Sequence, residues 1–320
     1  MAAVAKEDGG FDRIVLSKPY NQLIFLFATT LNEIANGPVS QSHVDLSRSL
    51  GPDDVVVTFN WDTLMDRALM EAAGWSVDDG YGVTPYRVFR DGWSSPANRA
   101  SPSPNKLIKL HGSVNWLTTH PVYEGDELVL THNLPVESLF VYEHATRPYP
   151  THAGRYMGGY APLTYGYYPP NLTDVPGRSA PDGYLIVRVQ PRLPWMPEGQ
   201  AGEEGLVSMP LLIPPVKDKS YQFFGTLFEG LWEQARAALQ ACDELLVIGY
   251  SFPRTDLKSL DLFKGAFVRR TSLPRVTIVD PYPDRPREVF RLELGIPDTH
   301  LRIVAGPFLG QETLAPILES

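Results

Sequence analysis

The chain predicts an α/β protein: a mainly parallel sheet with helices on both faces, interrupted by an irregular insertion rich in proline and tyrosine. Three observations predict it. Short β-branched and aliphatic runs recur, and each ends abruptly in polar or glycine residues. Segments with helical apolar spacing follow the run at residues 55–57 and the run at residues 244–248. From Leu117 to Lys219 prolines and tyrosines crowd together, and proline's fixed φ and missing N–H oppose long regular elements there.

Taken in order, Leu23, Ile24, Phe27, Leu31 and Ile34 share one helical face with Gly37-Pro38 as terminator, so residues 20–36 are expected to form a helix packed on the sheet. Val55-Val56-Val57 is a buried strand that closes in Thr58-Phe59-Asn60-Trp61-Asp62. Leu64, Met65, Leu69, Ala72 and Ala73 then form a helical face, with Asp62 as expected N-cap and Gly74 as stop. Leu107-Ile108-Lys109-Leu110 is a second short strand, ended by His111-Gly112-Ser113. Within the insertion, short strands are expected at Leu128-Val129-Leu130, Leu139-Phe140-Val141-Tyr142 and Tyr184-Leu185-Ile186-Val187, in a cap over the sheet edge that serves as a lid or oligomer contact.

Phe224, Leu227, Leu231, Ala235, Ala238 and Leu239 return the chain to the core as a helix. Glu244-Leu245-Leu246-Val247-Ile248 runs into Gly249-Tyr250-Ser251, where a glycine lets backbone approach a ligand closely. Asp256 is expected to cap the helix carried by Leu257, Leu260, Leu262, Phe263 and Phe267. Arg275-Val276-Thr277-Ile278-Val279 ends in Asp280-Pro281, which puts a carboxylate where a ribose hydroxyl could bind. Four strand ends thus carry one polar cluster each, and the carboxyl edge of such a sheet is where ligands bind.

Composition narrows the function classes. A formal charge of −9 and a pI near 5.3 oppose direct nucleic-acid binding, which needs clustered Lys and Arg. The single cysteine, Cys242, excludes an intramolecular disulfide framework and fits a reducing compartment. Leu23–Ala28 falls far short of a bilayer span of about 20 residues and lacks a signal-peptide layout, so no membrane association and a cytoplasmic location are expected. His120, His132, His144 and His152 lack short ligand spacing and thiolate companions, which argues against a metal site.

Thr58-Phe59-Asn60-Trp61-Asp62, Leu110-His111-Gly112-Ser113, Gly249-Tyr250-Ser251 with Asp256, and Ile278-Val279-Asp280-Pro281 resemble, in order, the motifs of the sirtuin-like superfamily. The nearest branch is that of bacterial antiphage-defence NAD-hydrolase domains, with Trp61 in place of the usual tyrosine. The resemblance covers roughly residues 50–120 and 220–305. It implies a sirtuin-like Rossmann domain in two parts, 1–116 and 220–320, around an insertion at 117–219. It also implies NAD+ as substrate, with NAD+ glycohydrolase activity giving nicotinamide plus ADP-ribose or cyclic ADP-ribose. A homo-oligomer or an activating protein partner is implied as well.

Two departures accompany the resemblance. The Gly-Ala-Gly-x-Ser loop that holds dinucleotide phosphates in the family is not found before residue 50, and Gly9-Gly10 precede the strand-like run 11–16 instead of following it. That leaves a truncated product, a loop supplied from elsewhere, or lost NAD binding. One cysteine cannot form the four-thiolate zinc module of protein-deacylating sirtuins, so no zinc is expected and deacylation is the least favoured activity.

Nicotinamide leaves NAD+ as a neutral molecule, so the reaction needs no leaving-group acid. It needs oriented dipoles, a carboxylate near an oxocarbenium-like ribosyl centre, and a base. By the resemblance, Asn60 orders the ribose or a water, Asp62 recognises the carboxamide, and His111 accepts a proton. Thr58, Gly249 and Ser251 lie by the nucleotide, and Asp280 lies near the adenosine ribose. The residues alone also admit plainer roles: a helix cap for Asn60 and Asp62, a core histidine for His111, a turn for Asp280. A non-catalytic nucleotide- or protein-binding module is the alternative function.

Overall fold

A computed structural model describes residues 27–28, 31, 38–90, 93–124, 127–129, 139–143, 172–174, 187–189, 206–213, 225–253, 256–268 and 270–318. It is a mixed α/β protein with parallel ladders at both ends of the chain and a mixed sheet between them. Strand β1 (Val55–Thr58) pairs in parallel with β4 (Lys106–Lys109), in the register Val55↔Lys106 to Thr58↔Lys109. Helix α1 (Gln41–Ser49) precedes β1, and α2 (Leu64–Ala73) follows it, closed by Gly74 at φ 66°. The β-branched run at 55–57 suits a pleated strand, but it is half-buried with Val55 exposed rather than buried as expected, whereas Leu107, Ile108 and Lys109 of β4 and Leu110 just past it are all buried.

The second parallel ladder joins β11 (Glu244–Ile248), β12 (Arg275–Asp280) and β13 (Leu301–Ala305). Helix α3 (Gly225–Ala241) leads into it with Phe228, Leu231, Ala235 and Leu239 buried. Helix α4 (Leu257–Phe267) connects β11 to β12 through buried Leu262, Phe263 and Phe267. Leu257, expected on that apolar face, is instead 65% exposed, because it opens the helix on the solvent side. A short helix α5 (Asp284–Glu288) continues into a π-turn, Val289–Glu293, and α6 (Gln311–Leu318) follows β13. One buried cluster runs through both ladders, from Leu69 and Ile108 to Trp232, Val247, Phe252, Phe263 and Ile278.

Between them, β2 (Arg87–Phe89), β3 (Trp93–Ser94), β5 (Gly112–Glu124), β7 (Leu139–Tyr142) and β10 (Leu206–Leu212) form a sheet in the order β10-β5-β7-β2-β3, and β6 (Glu127–Val129) pairs with β5. Two strands, β8 (Leu172–Asp174) and β9 (Val187–Val189), form a separate antiparallel pair. Among the described residues the ladders β1-β4 and β11-β12-β13 are parallel as expected, whereas the sheet between them is mixed and β8-β9 is antiparallel. The boundary expected after residue 116 falls inside the 13-residue β5, which pairs antiparallel with both β7 and β10. Long regular structure does enter the proline-rich region, because Gly112–Glu124 finds ladder partners far away in sequence. The short strand expected at 139–142 is β7, and those expected at 128–130 and 184–187 overlap β6 and β9.

Phe27, Ala28 and Leu31 are helical, with Ala28 buried, and the remainder of the expected helix at 20–36 lies outside the described residues. Among the described residues no helix is long and apolar enough to cross a membrane.

Candidate functional site

The carboxyl ends of β1, β4 and β11 converge. Phe59, just past β1, stacks on Tyr250, just past β11, with ring centroids 4.4 Å apart and an interplanar angle of 18°. His111, just past β4, sits against Phe59 at 5.3 Å and against Trp61 and Trp232 at 6.4 Å each. Three strand ends from distant parts of the chain thus meet around one imidazole.

His111 is 5% exposed, and its Nε2 lies 3.7 Å from Oδ2 of Asp256. Asp256 occupies the N-cap position of α4, but its side chain makes no cap hydrogen bond there. Its φ −105° and ψ 63° differ from the usual extended cap geometry, and its buried carboxylate faces Tyr250 and His111 instead. Asp256 thus stands at the expected cap position, while its side chain serves other partners. Tyr250 Oη lies 3.1 Å from Asp256 Oδ2 and 2.7 Å from Ser259 Oγ, while Ser259 donates to the Asp256 carbonyl at 2.7 Å.

The loop after β1 carries Asn60 and Asp62. Asn60 is exposed, and its backbone N–H donates to Thr58 Oγ1 at 3.0 Å, so the Thr58 hydroxyl braces the loop's own backbone. Thr63, not Asp62, is the N-cap residue of α2; Asp62 Oδ1 still accepts the Leu64 N–H at 3.0 Å, satisfying one donor of the first turn. A chain of buried polar groups supports this loop from below. Lys109 Nζ donates to the Asp62 carbonyl at 2.5 Å and to Asp66 Oδ2 at 2.8 Å, and Tyr81 donates to Asp66 Oδ1 at 2.5 Å. Asn115 Nδ2 donates to Tyr81 Oη, Ser113 donates to Asn115 Oδ1, and Ser113 also reaches the Trp61 carbonyl at 3.3 Å. The Val114 N–H donates to that same carbonyl at 2.8 Å. The ring of contacts starts and ends on Trp61 and Asp62, so it fixes the backbone that presents Asn60 and Asp62.

Electrostatics follow burial. Burial and the neighbouring Asp66 carboxylate push the Tyr81 phenol well above its ordinary range, so it stays a neutral donor. His43 on α1, whose Nδ1 lies 2.8 Å from Ser40 Oγ, is pushed down by burial, while the Asp62 carboxylate opposes that shift.

Gly112 follows the imidazole at φ 78°, and a Cβ there would meet the Leu211 carbonyl oxygen at 1.9 Å. Only glycine fits both the conformation and the approach of β10.

The second edge is built differently. Gly249 has φ 62°, and its N–H donates to the Val279 carbonyl at 3.0 Å. Ser251 is exposed. Phe252 adopts φ 50°, an unfavourable left-handed conformation for a large residue, held by ring contacts to Tyr250, Phe263 and Phe290. Asp280 is buried, and its Oδ1 accepts the Tyr282 N–H at 2.7 Å, as a turn-forming carboxylate does. A cleft of about 310 Å³ opens beside Phe252 and Asp256, with Leu260, Arg285 and Glu293 in its wall.

Among the described residues, no group of three His, Cys, Asp or Glu side chains could hold a metal ion. The side chains of His120, His132, His144 and His152 lie outside the described residues. Sequence reading missed Lys109, Asp66, Tyr81, Asn115 and the inward turn of Asp256. A lysine inside the apolar run Leu107–Leu110 was the available signal, since a charge on a buried strand requires a partner.

No protein-family model, no curated protein and no solved structure matches this chain.

Proposed function

We propose that this protein cleaves the N-glycosidic bond of NAD+, giving nicotinamide and ADP-ribose or its cyclised form, in a Rossmann-like domain of sirtuin type. The observation that carries the reading is the meeting of His111 with Asp256 at the strand edge to which the braced Asn60–Asp62 loop belongs. In this reading His111 accepts a proton from a ribose hydroxyl or an attacking water: the O–H bond breaks, an N–H bond forms, and the electron pair stays on oxygen for attack at the ribosyl carbon. Asp62 supplies negative charge near that carbon, and the Asn60 amide orders the nucleophile. Gly249, Ser251, Thr58 and Asp280 line the path of the rest of the dinucleotide. No zinc takes part. Activity is under the control of an activating protein or of homo-oligomerisation, as suits a bacterial defence effector in the cytoplasm.

Incubating the purified chain with NAD+ over a range of protein concentrations, and separating the products by chromatography, tests this. Nicotinamide should accumulate, and His111→Ala should slow its release roughly 10²-fold. Equal release by His111→Ala would remove His111 from the mechanism. Saturable NAD+ binding without nicotinamide would leave a nucleotide-binding module.

A further inference from the structure

Resting on the reading of His111 as the proton acceptor, we propose that Asp256 is its positioning partner, holding the imidazole's orientation and tautomer through a buried carboxylate that the Tyr250 phenol steadies. Four observations converge on this. Asp256 stands where a helix cap belongs but caps nothing with its side chain. It is 5% exposed, an expensive place for a carboxylate without polar partners. Its Oδ2 faces Nε2 of an equally buried histidine at 3.7 Å, so the two side chains are in direct contact with water largely excluded. Its backbone carbonyl is tied down by Ser259, and Tyr250 is itself fixed by stacking on Phe59, so the carboxylate is held from two sides.

The chemical consequence is specific. A carboxylate facing Nε2 favours the tautomer with the proton there and makes Nδ1 the accepting nitrogen. When Nδ1 takes a proton from the O–H being cleaved, the imidazolium that forms stands beside a negative charge already in place. Among the described residues, Asp256 at the start of α4 lies at the imidazole, Tyr250 after β11 lies on that carboxylate, and Lys258 of α4 holds its ammonium 4.6 Å from the centre of the Trp232 ring, which packs on His111.

The test is a side-chain NMR titration of the full chain, with the His111 signal assigned by its loss in His111→Ala. Asp256→Asn should lower the His111 midpoint by about one pH unit or more, and Asp256→Glu should restore most of it. Tyr250→Phe keeps the ring stack but removes a donor from the carboxylate, so it should move the midpoint the other way. In the cleavage assay, Asp256→Asn should lower kcat more than it raises KM and carry the acid limb of the pH profile down with it. An unchanged midpoint in Asp256→Asn overturns the inference. If that variant does not fold, Tyr250→Phe decides: an upward shift supports the pairing, and none overturns it. Failure of the unmutated protein to release nicotinamide would refute the NAD reading alone, because the titration reads the Asp256–His111 coupling without turnover.

Discussion

The two strand edges that build the site are held by different physics. At the ends of β1 and β4, backbone position is set by a buried polar ring in which Lys109 and Asp66 are each almost wholly out of water. At the end of β11, position is set by left-handed backbone at Gly249 and Phe252, with aromatic rings packed around the strain. Buried ion pairs fail abruptly when one member is removed, since the survivor stays buried and charged. Strain and packing change by degrees. The loop with Asn60 and Asp62 should therefore tolerate its supports only as a set, and the loop with Ser251 should tolerate single changes.

The largest effect that would test this contrast is Lys109→Met. It strands Asp66 in the core, and urea unfolding should register a loss of about 3–5 kcal/mol. Pairing it with Asp66→Leu should recover much of that loss; a double variant as weak as the single one would show that the ring acts through hydrogen bonds to the loop rather than through stranded charge. A smaller effect is expected on the other edge from Gly249→Ala. Nothing crowds a Cβ at Gly249, so only the positive φ opposes the change and the loss should be about 1–2 kcal/mol. A loss as large as that of Lys109→Met would erase the distinction between the edges.

The smallest effect concerns pH. Burial lowers the His43 pKa from 6.5, so the unfolded chain takes up a proton that the folded chain resists. The contribution is fully present above that value and is lost as pH falls through the lower folded midpoint. His43→Gln should flatten the fall in urea midpoint between neutral and mildly acid pH, and Asp62→Asn should steepen it by removing the opposing charge.

How much of this was legible in the sequence follows range of interaction. The strand at 55–58, the helix stopped by Gly74 and the runs at 244–248 and 275–280 were readable because their signals are local: apolar runs ended by polar residues or glycine. Strand β5 was not, since its partners in β10 lie some ninety residues away and its proline, Pro121, argues locally against it. The positions of Asn60, Asp62 and His111 at strand ends were readable for the same local reason. Asp256 was readable as the cap position of its helix but not as a neighbour of His111, because only the packing of α4 against α3, which itself meets β4, brings its side chain to an imidazole 145 residues earlier. Lys109 and Asp66, 43 residues apart, meet because the parallel register sets Lys109 beside Thr58 and the helix that follows β1 carries Asp66.

The polar ring also sets a clock. The amides of Leu110 and Val114 donate to the carbonyls of Thr58 and Trp61, and Lys109 and Ser113 close on the same loop. An opening that exposes these amides to solvent deuterium must break the ring and uncover a buried ion pair in one event. Surface loops ordinarily exchange through small, frequent openings. This one should exchange with the slowest amides of the core, so a ligand arriving at Asn60 and Asp62 meets a surface that does not rearrange on the timescale of its encounter.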